Sequence, residues 1–177
     1  MLADIKLIVL PYATLNGKSL LDILIKEFNK KSWTQFRAAI AFIKQRGIYD
    51  ELLDSMIGFV KRGNSIEMTF GADTFNGDVK GSEYKAIEKL FNTIGQFEKV
   101  KLFLYHEKSR TFHPKLYVFS NEKRALLIIG SSNWGPGGLR NNVELNVKIN
   151  LNLSKRDQIK CYNEILRYFN NYWQEGK

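Results

Sequence analysis

Five side chains in this sequence have types and spacing that could do chemistry: His113, Lys115, Ser131, Asn133 and Glu144. His113 and Lys115 stand at i and i+2 in the run 112–119 (FHPKLYVF), which otherwise reads as an apolar strand. Side chains alternate across a strand, so the two share a face. Lysine is rarely buried without a partner, and a bound phosphate would be one. After the apolar run 125–129 comes Gly130-Ser131-Ser132-Asn133, in which Ser131 and Asn133 again share a face. Only Asn121, Glu122 and Lys123 clearly separate these two runs, so they can pair as a hairpin. The four polar groups then converge at one end of a sheet. Glu144 opens the next apolar run and is a carboxylate partner for an imidazole.

Each residue type suits phosphoryl transfer. An imidazole is nucleophilic near neutral pH and forms covalent intermediates. A lysine supplies point charge to phosphate oxygens. Hydroxyl and amide groups donate neutral hydrogen bonds to the same oxygens. A carboxylate fixes an imidazole's tautomer and stabilises its charged form.

The elements that must position these groups alternate. Strands are expected at 5–10, 36–43, 65–70, 100–105, 112–119, 124–130 and 143–149. Helices are expected at 19–31, 48–62, 82–94 and 154–173, with Ser19 and Ser154 as N-caps and Gly63 closing the second helix. The run 36–43 (FRAAIAFI) is almost continuously apolar, as in a strand covered on both faces. This alternation implies an α/β fold with a mixed central β-sheet flanked by helices. The 177 residues fit one domain, 1–177, with no linker, repeat or low-complexity segment.

Composition narrows the partners. The net charge of +9 favours a polyanion, nucleic acid or an anionic membrane surface. The single cysteine, Cys161, excludes a disulfide framework and reads as a small core residue. Two histidines, His106 and His113, with few carboxylates near the motif leave no zinc or two-metal site, and no cofactor is expected. His106 reads as a surface histidine at a strand end. The N-terminus has no signal-peptide pattern and no apolar stretch would span a bilayer, so the expected location is cytoplasmic, without a membrane.

His113-Pro-Lys115, Gly130-Ser131-Ser132-Asn133 and a glutamate eleven residues later resemble the phospholipase D superfamily, whose signature is His-x-Lys, Gly-Ser-x-Asn and a downstream glutamate. The resemblance rests on residues 112–149 and implies a phospholipase D-like sandwich. The aspartate that usually follows the lysine by five residues is Ser120 here. That departure, together with the stretch Asn133-Trp-Gly-Pro-Gly-Gly-Leu139, is similar to the metal-independent restriction endonuclease domains of the superfamily.

What the resemblance implies is a DNA endonuclease working in two steps. His113 attacks phosphorus and forms a phosphohistidine. Lys115 and Asn133 hold the non-bridging oxygens, Ser131 contacts phosphate or orients the site, and Glu144 orients His113. A second histidine protonates the leaving oxygen. Members with two motif copies supply both histidines from one chain. This chain has one copy, so a homodimer with a shared site is expected. Trp134, Arg140 and Lys44 are candidate substrate contacts around the motif loops. The sequence has no DNA-reading motif, so recognition would lie in a separate domain or subunit. Two other functions are open: a phospholipid phosphodiesterase or phosphatidyl transferase, and a catalytically silent DNA-binding module.

Overall fold

The computed structural model describes residues 3–10, 18–75, 78–107 and 109–174. Eight strands and four helices follow in the order β1 (Asp4–Leu10), α1 (Leu20–Asn29), β2 (Gln35–Ile40), α2 (Asp50–Lys61), β3 (Ser65–Phe75), β4 (Asp78–Gly81), α3 (Tyr84–Ile94), β5 (Val100–Tyr105), β6 (Lys115–Ser120), β7 (Arg124–Gly130), β8 (Glu144–Asn152) and α4 (Arg156–Gln174). Seven strands make the central sheet in the order β1-β8-β7-β6-β2-β3-β5, and β4 folds back on the far end of β3. Strands β2, β3 and β5 run parallel, while β6, β7, β8 and β1 pair antiparallel. This mixed α/β architecture has the seven expected strands and four expected helices.

Both faces of the sheet are covered, which explains the nearly continuous apolar runs. On one face Phe36, Tyr117, Phe119, Leu126 and Ile128 pack against α1, α2 and α3. Phe28 of α1 sits at the centre, with its ring 4.6 Å from Phe36 and 4.9 Å from Phe119. On the other face the alternate residues Val118, Leu127 and Leu151 meet Tyr162 of α4, and Ala39 meets Phe169. Each residue of β6 and β7 is therefore assigned a side by the two-residue period of the strand.

Local chemistry sets the ends of the elements. Ser19 forms a capping box with Asp22 at the start of α1. Gly63, at φ 85°, follows α2 in the left-handed region that a C-terminal cap requires. Three sequence expectations are corrected. Ser154 is not the cap of α4: the helix begins at Arg156, and Gln158 folds back to accept from Asn152 N at 2.7 Å. Cys161 is exposed on α4 rather than part of the core. His113 precedes β6 instead of lying within a strand, because Pro114 has no N–H to give to the ladder.

Candidate active site

The register brings the motif steps to one end of the sheet. Lys115 opens β6 opposite Ile40, where β2 ends, and Leu116 pairs with Ile129 near the end of β7. Gly130 pairs with Asn146 near the start of β8, so Ser131 and Glu144 flank the same edge. Carboxyl ends of parallel strands are where α/β sheets place their ligands, and β2 ends here beside Phe70 of β3.

His113 and Lys115 meet directly. Lys115 Nζ lies 3.0 Å from each ring nitrogen of His113 and donates to the His113 carbonyl at 3.2 Å. The lysine is 7% exposed. Burial pushes its ammonium below the ordinary lysine range, and the nearby Glu144 carboxylate opposes that shift. Ser131 Oγ donates to Glu144 Oε2, and Asn142 Nδ2 donates to Glu144 Oε1 at 3.3 Å. Glu144 is thus paired with Ser131 and Asn142, not bonded to the imidazole of its own chain as the sequence suggested. Asn133 Oδ1 is buried without a hydrogen-bond partner. Such an orphan is costly unless a ligand or water satisfies it.

A second layer holds the Gly130–Asn133 step, and sequence reasoning missed it. Tyr117 donates from its hydroxyl to the Ser132 carbonyl at 2.9 Å, and burial pushes that phenol well up, so it stays a neutral donor. Asn146 is fully buried and donates from Nδ2 to Ser132 Oγ at 2.9 Å. Leu145 N donates to Ser131 Oγ at 3.1 Å. The available signal was Asn146 itself, an amide two residues after Glu144 and so on the same face of the strand. Gly138 packs against the backbone of Asn133 so closely that a Cβ there would lie 2.3 Å from the Asn133 carbonyl oxygen.

The candidate substrate contacts fare differently. Trp134 is 1% exposed, belongs to the core and lies 6.2 Å from the Tyr117 ring, so it offers no face to a substrate. Its backbone instead joins Phe42 and Lys44, with Trp134 N donating to Phe42 O and Lys44 N to Trp134 O. Lys44 therefore lies beside the motif loop, with its ammonium 3.7 Å from Glu83. Arg140 reaches towards α2, 3.7 Å from Glu51 and over the Tyr49 ring. His106 is exposed, with Nδ1 2.8 Å from Ala72 O. Among the described residues no three histidine, cysteine or carboxylate side chains gather into a metal-binding group.

A histidine–lysine contact, a hydroxyl, an amide and a carboxylate thus gather at one sheet end. The chain belongs to the family described as "Cardiolipin synthase, PLD-like domain", whose model matches residues 24–173. Members of the superfamily act on phosphodiester bonds. Among solved structures, Nuc from Salmonella typhimurium, a phospholipase D family member, is 16% identical with a TM-score of 0.66, covering 99% of this chain and 97% of that one. NucT from Helicobacter pylori is 18% identical with a TM-score of 0.60, covering 97% and 94%. The phosphatidylserine synthase of Haemophilus influenzae Rd KW20 is 12% identical with a TM-score of 0.57, but the match covers 83% of this chain and 34% of that one. At these identities the likeness is one of fold. No curated protein sequence matches the chain significantly. No described helix is long and apolar enough to cross a membrane.

Proposed function

We propose that this chain is a metal-independent DNA endonuclease of restriction type, acting through a phosphohistidine at a site shared by two copies. The observation that carries the reading is the 3.0 Å contact of His113 with Lys115 at the sheet end that also holds Asn133, Ser131 and Glu144. A His113 ring nitrogen attacks phosphorus; the P–N bond forms as the P–O bond to the leaving oxygen breaks. The second copy's His113 gives that oxygen its proton. A water oxygen then attacks phosphorus, the P–N bond breaks, and the same second histidine takes the water's proton. Lys115 and Asn133 stabilise the non-bridging oxygens, so the electrophilic groups are side chains.

The pairing of Glu144 with Ser131 leaves its own His113 to Lys115. In a shared site, the imidazole that Glu144 orients is that of the second copy. Ile129, Val143 and Leu145 are large, exposed and adjacent to Ser131 and Glu144, which favours a second copy covering this edge. DNA as substrate is supported by the net charge of +9. The lipid reading is favoured by the family's own description and by the synthase among the structural neighbours.

Supercoiled DNA, single-stranded DNA and phosphatidylcholine vesicles, each incubated with the protein in excess EDTA, separate the readings. The expected result is cleavage of DNA. Silence in EDTA with activity restored by magnesium would sink the metal-independent mechanism. Hydrolysis of the lipid alone would establish the second reading, and DNA binding without cleavage a silent module.

A further inference from the structure

Residues 41–44 knit the two halves of the motif together. Ala41 N donates to Pro114 O at 2.8 Å, which ties this segment to the His113–Lys115 step. Trp134 N donates to Phe42 O at 3.1 Å, and Lys44 N to Trp134 O at 2.8 Å, which ties it to the Gly130–Asn133 step. A third connection comes from the turn after β4. Ile43 N donates to the buried Ser82 Oγ at 3.2 Å, and Glu83 N donates to Ile43 O at 2.9 Å. Phe42 is the side chain at the centre of these ties, and it is half-buried.

The Phe42 ring touches both reacting partners. Its centroid lies 5.8 Å from that of His113, with the planes near perpendicular at 73°. Lys115 Nζ lies 5.9 Å from the same centroid. Both distances fall in the range where an edge-to-face pair and a cation over a ring are attractive. On the outer side Gly81 backs the ring. A Cβ at Gly81 would lie 2.9 Å from Phe42 Cδ1, and its φ of 115° already favours glycine. Bare backbone therefore presses on the ring, and the ring on the site.

We propose that Phe42 is a positioning residue of this site: its ring shields the Lys115 ammonium from water and seats it against the His113 imidazole, with the Gly81–Glu83 turn holding the ring in place. The proposal rests on the phosphodiesterase reading for its catalytic consequence, but not for its physical one. The titratable and charged groups around Lys115 are His113 before it, Tyr117 on β6 and Glu144 opening β8. The 41–44 segment adds Lys44, which faces Glu83 of the turn. Glu144 favours the charged lysine, so the loss of water is what disfavours it, and a ring wall is a cause of that loss.

The test compares Phe42→Ala, which opens the wall, with Phe42→Leu, which keeps an apolar wall without a ring. Thermal melts establish that each is folded. Lysine labelled at Cε is titrated by NMR, with the Lys115 signal identified by its absence from Lys115→Arg. In Phe42→Ala the Lys115 titration should move to higher pH, towards that of the exposed lysines, because regained water outweighs the lost attraction of the ring; in Phe42→Leu, which keeps the apolar wall and loses only that attraction, it should stay in place or move lower. Hydrolysis of bis(4-nitrophenyl) phosphate is then followed against pH. In Phe42→Ala, kcat should fall roughly tenfold or more, since about 1 Å of misplacement costs on the order of a hundredfold. KM should change less, and the alkaline limb of kcat should move up with the NMR titration. A folded Phe42→Ala whose Lys115 titration stays at its wild-type position overturns the proposal. Wild-type protein that cleaves no phosphodiester, while the NMR shift occurs, refutes the enzymatic reading and leaves the Phe42 assignment standing.

Discussion

Replacing Gly138 by alanine should disable the site without unfolding the chain. The added Cβ would lie 2.3 Å from Asn133 O and 2.5 Å from Asn133 N, whereas ordinary contacts begin at 3.4 Å. Both atoms are backbone, so neither can swing aside. Relief requires Asn133 to move by about 1 Å relative to Lys115, and such a shift costs on the order of a hundredfold in rate, about 3 kcal/mol in the barrier. Overpacking costs roughly 1–3 kcal/mol of stability, a fall of about 2–12 °C in Tm for a chain of this size. The protein should therefore remain folded at 25 °C. Gly58→Ala on α2 is the control: the nearest atom its Cβ would meet is Arg62 Nη1 at 3.5 Å, an ordinary contact away from the site. The assay is kcat and KM with bis(4-nitrophenyl) phosphate beside a thermal melt. A folded Gly138→Ala with kcat within about twofold of wild type would refute the claim that Asn133 placement limits the rate.

Three further outcomes are expected. His113→Ala should lose turnover by about 10⁴-fold or more while DNA affinity measured by anisotropy is largely retained, since affinity comes mostly from phosphate contacts; Glu144→Gln should be milder. Lys115 acts in its charged form and is held below the ordinary lysine range by burial, so kcat should fall on the alkaline side before exposed lysines titrate. A lysine lowered on folding costs stability at pH below its folded value, and that cost disappears as pH rises through the unfolded value. Lys115→Met should therefore abolish activity yet raise Tm at neutral pH. Light scattering should show about twice the 20.5 kDa chain mass, and dimers of one wild-type and one His113→Ala subunit should lose normal turnover, whereas independent sites would keep about half.

Much of this site was legible in the sequence because the relevant signals are local. The two-residue period of β6 and β7 assigns faces, and short connections force His113, Lys115, Ser131 and Asn133 to one end. What was not legible depends on contacts between distant segments. Trp134 follows the motif and resembles a cleft residue, but its pairing with Ile43 and its place beside Tyr117 bury it. Glu144 reads as an imidazole partner until the fold sets Ser131 against it. Phe42 looks like one more apolar residue of the 36–43 run, because its role depends on Gly81 and Lys115, which reach it from other strands. β4 was missed because its four residues carry too short a pattern to register.

The central claim is that His113 forms a covalent bond to phosphorus, and stereochemistry tests it most directly. A DNA substrate with one phosphorothioate of known configuration, cleaved in ¹⁸O-labelled water, yields a chiral product at phosphorus. Each in-line displacement inverts the centre, so attack by His113 followed by attack by water gives net retention. Retention is the expected result. Inversion would mean that water attacks the phosphodiester directly, and His113 would not be the nucleophile.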